Sequence, residues 1–218
     1  MTNPALTSSQ PLLDTVPRLP YVTALLSTAS AVLYMLPTQV TEFAFNTARP
    51  EALGPWFTAH LTHWNEPHFA WSVAAFALLG GLAEMQHLGR YLVALGMSLA
   101  LIPMVLLTQG PAGMAFAGLS GLAVAAFFLL ITTFAREELR GGDAFWALAA
   151  STLLVSFAGQ FIVEFALGEG AWPVIGGQQS LTLAHLAGMA AGFFAAFFPV
   201  FPKKTHLAGV TPGREDVK

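Results

Sequence analysis

The chain has 218 residues, 55% of them hydrophobic and only 10% charged, with a formal net charge of -3 and no cysteine. That is far from the roughly 25% charged residues of a soluble domain, and the lack of thiols excludes disulfides, thiolate nucleophiles and cysteine-based metal sites. Its scattered basic residues make no nucleic-acid surface, and at roughly 20 apolar residues per bilayer crossing the length holds about six crossings and no separate soluble domain.

Residues 1–19 are polar, contain Pro4, Pro11 and Pro17, and lack the basic start and small-residue cleavage site of a secretory signal. They read as a disordered tail, which leaves one membrane domain over 20–202 and a basic tail over 203–218. The first apolar run, 21–36, is short for a span, and flanking Arg18 and interfacial Tyr34 let it cross with snorkelling or slight bilayer thinning. From 37 to 67, Glu42, Arg49, Pro50, Glu51, Pro55, Trp56 and Trp64 among apolar residues predict an interfacial segment. A second span over 68–85 and a third over 91–107 are joined by a tight link, with Pro103 expected to kink or stop the third. Gly110, Pro111 and Gly113 mark a turn. A fourth span, 116–134, ends at the charged run Arg136, Glu137, Glu138, Arg140. The fifth, 144–167, carries Gln160 and Glu164, an i, i+4 pair expected to be structural, and a glycine-rich loop leads to a sixth over 180–201. The fold class is thus an all-α bundle of six membrane helices.

Cytoplasmic flanks retain Lys and Arg. With the N-terminus inside, Arg18, Arg90, Arg136, Arg140, Lys203, Lys204, Arg214 and Lys218 are cytoplasmic and only Arg49 is outside. Both termini are therefore expected in the cytoplasm, and spans two, four and six all begin on the outer side. Each has a polar residue near its start: His68, Ser120 and His185. Ser120 is expected about four residues into its helix and His185 about five, roughly 6–8 Å along the axis at 1.5 Å per residue. A hydroxyl and an imidazole at one depth can hydrogen-bond, the minimum arrangement for an activated serine. Gly118, Gly121 and Ala123 around the serine, and Gly188 and Gly192 beyond the histidine, are small-residue strips that allow close helix approach.

Gly118, Leu119, Ser120, Gly121 in the fourth span, Ala184, His185, Leu186, Ala187, Gly188 with Gly192 in the sixth, and His63 and His68 around the second together resemble the rhomboid intramembrane serine proteases. The resemblance covers essentially the whole six-helix chain. It implies a Ser120 nucleophile and a His185 general base, a dyad without a carboxylate, so that Glu164 is not a third member. The oxyanion hole would use the backbone N–H groups at Leu119 and Ser120 and the His68 side chain, with Ser72 standing where the family usually has asparagine. His63 resembles a family histidine that braces the outer loop, and His60 is a second candidate for that task. His60, Thr62, His63, Asn65 and Glu66 would keep a hydrated vestibule above the dyad. No metal or cofactor is called for.

A narrower resemblance, to the rhombosortase branch, rests on Thr58, Ala59, His60, Leu61, Thr62, His63, Trp64, on Phe76, Ala77, Leu78, Leu79, Gly80, Gly81, Leu82 and Glu84, and on Gly-Leu-Ser-Gly. It implies membrane-anchored substrates, surface proteins with a C-terminal Gly-Gly sorting tail, and a bacterial inner membrane with the active site facing the periplasm. Two other classes compete with the protease. One is a catalytically silent rhomboid fold that binds membrane helices, consistent with serine at position 72. The other is a haem or metal protein using His60, His63, His68 and His185, which leaves Gly-Leu-Ser-Gly unexplained.

Overall fold

The computed structural model describes residues 19–37, 40–167 and 182–199. The expected tails, apart from Leu19, the glycine-rich loop and the first residues of the sixth span lie outside them. Helix α1 (Tyr21–Met35) leads into a small subdomain of α2 (Val40–Phe43), β1 (Phe45–Asn46), α3 (Leu53–Thr58) and a 3-10 turn (Ala59–Leu61). Then follow α4 (Glu66–Gln109), β2 (Ala115–Phe116), α5 (Ser120–Gly141), α6 (Ala144–Leu167) and α7 (Thr182–Ala195).

The expected second and third spans are the two limbs of α4, broken at His87, which leaves helical torsions at φ -137°, ψ 46°. A Cβ built on Gly80 would lie 3.0 Å from the Tyr91 hydroxyl, whereas eleven residues of straight helix would separate these positions by about 16 Å. The second limb therefore folds back on the first. Asn65 starts α4 by accepting the His68 N–H at 2.9 Å, with Pro67 in the first turn, where its missing N–H costs nothing. Pro103 neither stops nor breaks the helix, which runs on to Gln109. By length and composition, α4 and Ala144–Val163 of α6 can each cross a bilayer, while α1 and α7 are shorter apolar helices.

Thr23, Ser27 and Ser30 recur at helical spacing on one face of α1, and Thr23 and Ser30 are buried. At one end of that stripe the buried Glu84 carboxylate accepts the N–H groups of Val22 and Thr23 at 2.9 and 2.8 Å and the Thr23 hydroxyl at 2.8 Å. With that proton used, the Tyr91 hydroxyl, 2.7 Å away, donates to Thr23. An acidic side chain thus satisfies two orphan amides at the positive end of α1.

The interfacial segment predicted between the first two spans is more ordered than composition suggested. Phe45 and Asn46 pair antiparallel with Phe116 and Ala115, and Thr47 adds two bonds, from N–H to the Met114 carbonyl at 2.9 Å and from its hydroxyl to the Pro111 carbonyl at 3.0 Å. This pairing occupies the residues expected to open the fourth span, so α5 starts at Ser120, not near residue 116.

Helices α5 and α7 meet backbone to backbone. A Cβ built on Gly188 would overlap the Gly121 carbonyl oxygen, and one on Gly192 would overlap that of Ala125. At the far end of α7 the Arg136 guanidinium donates to the Ala196 carbonyl and lies 4.2 Å over the Phe197 ring, while Arg90 Nε donates to the Phe198 carbonyl at 3.4 Å. These cations sit where the helix dipole is negative. Gly188→Ala and Gly192→Ala should each cost at least about 1–3 kcal/mol by forcing the helices apart. Gly159→Ala on α6, where nothing lies within 4 Å, should be neutral in the same thermal unfolding measurement in detergent.

Candidate active site

Ser120 is the first residue of α5 because the chain cannot be helical two residues earlier. Gly118 has φ +138°, a region that side chains disfavour, and its N–H donates to the Ala59 carbonyl at 2.8 Å. The 3-10 turn of the small subdomain thereby holds the approach to the serine. His185 stands on the fourth residue of α7. Its Nε2 lies 3.0 Å from Ser120 Oγ, a direct hydrogen bond between the two residues that share a depth in the sequence reading.

The site's floor is the α5–α7 contact. A Cβ on Gly121 would come within 2.6 Å of Ile102 Cδ1 and 3.4 Å of the Ala184 carbonyl, and Gly188 lies against Gly121. Gly192 continues the strip along Ala125. All four glycines of the motifs therefore stand where the backbone needs the space, Gly118 included: a Cβ there would lie 2.7 Å from His68 Nε2. The His68 imidazole reaches the serine loop through that opening. Among the described residues its Nδ1 is buried with no hydrogen-bond partner. Ser72, also buried, is one turn beyond His68 on the same side of α4.

His63 connects three elements. Its Nε2 accepts the Leu119 N–H at 3.3 Å, so the ring proton is on Nδ1, which faces Ser30 Oγ at 3.3 Å. The Ser30 hydroxyl in turn donates to the Leu61 carbonyl at 2.9 Å. The Leu119 amide, expected to face a developing oxyanion, is thus engaged by His63 here. The first amides of α5 remain without intrahelical acceptors, as in any helix start. The His63 ring also packs edge-on against His68, with centroids 5.1 Å apart.

Ser30 and Phe161 are absent from the sequence-derived site. Phe161 of α6 lies with its ring centroid 5.4 Å from that of His185. Ser30 had a usable signal in the Thr23, Ser27, Ser30 spacing. Phe161 had none, since phenylalanine is common throughout the chain. Gln160 is half-buried, and the Glu164 side chain lies outside the described residues. Among the described residues no group of three or more His, Cys, Asp or Glu could hold a metal ion.

A membrane-type helical bundle with a hydroxyl–imidazole pair at the joined ends of two tightly packed helices defines a narrow class. Residues 50–200 match the rhomboid domain, and the chain belongs to the rhomboid family, whose members are generally intramembrane serine proteases. No curated protein matches the chain.

Two histidines outside the spans carry a pH signature. Burial pushes His60 down to about 4. Burial, together with the neighbouring His68, pushes His63 down to about 3, against a smaller opposing effect of a hydrogen bond at Leu61. Both stay neutral in the folded protein while the unfolded chain takes up protons below pH 6.5. Stability should therefore be level above that pH and fall as pH drops from about 6.5 to 4, by up to about 1.4 kcal/mol per pH unit for each histidine. Unfolding in detergent across that range would read the slope, and His60→Gln should make it shallower.

Proposed function

We propose that this protein is an active intramembrane serine endopeptidase with Ser120 as nucleophile and His185 as its general base. The observation that carries the reading is the 3.0 Å hydrogen bond between Ser120 Oγ and His185 Nε2. In acylation the serine oxygen bonds to the scissile peptide carbon while its proton passes to His185 Nε2; the imidazolium then protonates the leaving amine. Water, deprotonated by the same nitrogen, attacks the acyl carbon and releases the serine. Charge that develops on the carbonyl oxygen needs donors in a dry site. His68, beside Gly118, and the opening amides of α5 are the groups we assign to it, with Ser72 as an auxiliary donor.

The proposed topology has six spans: α1, the two limbs of α4, α5, α6 and α7, with both termini cytoplasmic. It is supported by the segregation of polar groups between the ends of the bundle. His63, His68, Ser120 and His185 gather at one end, whereas Arg90 and Arg136 hold carbonyls just past the end of α7 at the other. Basic residues mark the inner side, so the dyad opens outward, toward the periplasm of a bacterial inner membrane. The substrate class is a single membrane-anchored helix. The likeness of the second-span region to the rhombosortases points to surface proteins with a C-terminal Gly-Gly sorting tail.

Labelling of the purified, detergent-solubilised protein by a fluorophosphonate probe tests the dyad. Wild type should label, and Ser120→Ala and His185→Ala should not, with each variant still folded. Labelling retained in Ser120→Ala overturns the assignment. No labelling of folded wild type, with no cleavage of a sorting-tail substrate in lipid, would instead indicate a silent helix-binding protein. His68→Ala should slow cleavage by about 10²–10³-fold, the usual consequence of losing one oxyanion donor.

A further inference from the structure

Among the described residues helix α6 is far less enclosed than α4: 11% of the residues in its most apolar stretch are buried, against 39% for α4. Ala147 and Ala150 are its buried residues, and three ring contacts join it to α5 and α7. Phe157 tilts against Phe127 of α5 with centroids 4.9 Å apart, and Phe161, one turn on, reaches Phe128 at 6.4 Å. The Phe161 ring also lies against the His185 imidazole, 5.4 Å between centroids at an interplanar angle of 45°. Its neighbours Ile162, Val163 and Phe165 are exposed, so Phe161 marks the inward side of α6 at the level of the dyad.

The backbone of His185 has little freedom, because Gly188 and Gly192 seat α7 directly on α5. The side-chain torsions of the imidazole are the remaining variable. The bond to Ser120 Oγ constrains one ring edge, whereas a tilted aromatic ring within 4.5–7 Å restrains the ring face. We propose that Phe161 is a positioning residue that holds the His185 ring, from α6, in the orientation that reaches Ser120. This inference rests on the dyad reading above. It joins the working geometry of the base to the placement of a helix far less enclosed than α4.

The test compares fluorophosphonate labelling kinetics in wild type, Phe161→Leu, Phe161→Tyr and Phe157→Ala, each checked for folding by thermal denaturation. Phe161→Leu keeps an apolar side chain but no ring, and should lower the limiting labelling rate about tenfold, the effect expected from one aromatic contact, with the half-saturating probe concentration unchanged. Phe161→Tyr should restore the rate. Phe157→Ala, which loosens α6 without touching His185, should label like wild type. Wild-type labelling with an equal rate in Phe161→Leu overturns the positioning role alone, as does a loss in Phe157→Ala as large as in Phe161→Leu. Failure of folded wild type to label, together with no cleavage of a sorting-tail substrate in lipid, overturns the dyad and this inference together.

Discussion

The direct contact of the α5 and α7 backbones is the constraint on which the rest of the site depends. A bilayer supplies no hydrophobic drive to bring two apolar helices together, so close packing of small residues must do it. Gly188 on Gly121 and Gly192 on Ala125 set the separation at one that no side chain would allow. At that separation a short hydroxyl and an imidazole meet at 3.0 Å. Small residues and reactive residues are then parts of one arrangement, the former setting the distance across which the latter act.

Around that contact, each polar group withdrawn into the bundle is given a specific task. Glu84 would be costly as an isolated buried acid. It accepts three hydrogen bonds, two from amides that the start of α1 would otherwise leave unsatisfied. The same helix is held at its other end by Ser30, so α1 is tied both to the fold-back of α4 and to the loop that carries His63. The small subdomain between α1 and α4 completes the frame: a two-residue strand pair and the Gly118 N–H bond to Ala59 hold the segment entering α5. Because that segment is extended and not helical, the serine stands at a helix start, among amides with no acceptor of their own.

Much of this was legible in the sequence. Hydrophobic runs place the first, second, third and fifth apolar helices within a few residues, the fourth less closely, and the glycine positions point to close packing. Ser120 and His185 pair in the sequence because alternate spans start on the same side. What could not be read arose from contacts distant in the chain. The pairing of Phe45 with Phe116 joins residues 71 apart and moved the start of α5. Pro103 suggested a stop, but a proline near the end of a long packed helix loses only one internal hydrogen bond, and tertiary contacts carried α4 past it. Phe161 gave no signal because periodicity reports which side of a helix is apolar and says nothing about which residue meets which neighbour. The Thr23, Ser27, Ser30 spacing marks a polar face of α1 but does not name the Leu61 and His63 partners of Ser30.

The bonds running from the Leu119 amide through His63 and Ser30 to the Leu61 carbonyl have a single sense, each group donating to the next. With His63 neutral at physiological pH, every member is uncharged. An electric field across the bilayer does work only on charge that it can move, about 2.3 kcal/mol per elementary charge per 100 mV. This brace presents it with none. The loop beside the serine is accordingly held by bonds that carry no net charge for a change in membrane potential to displace.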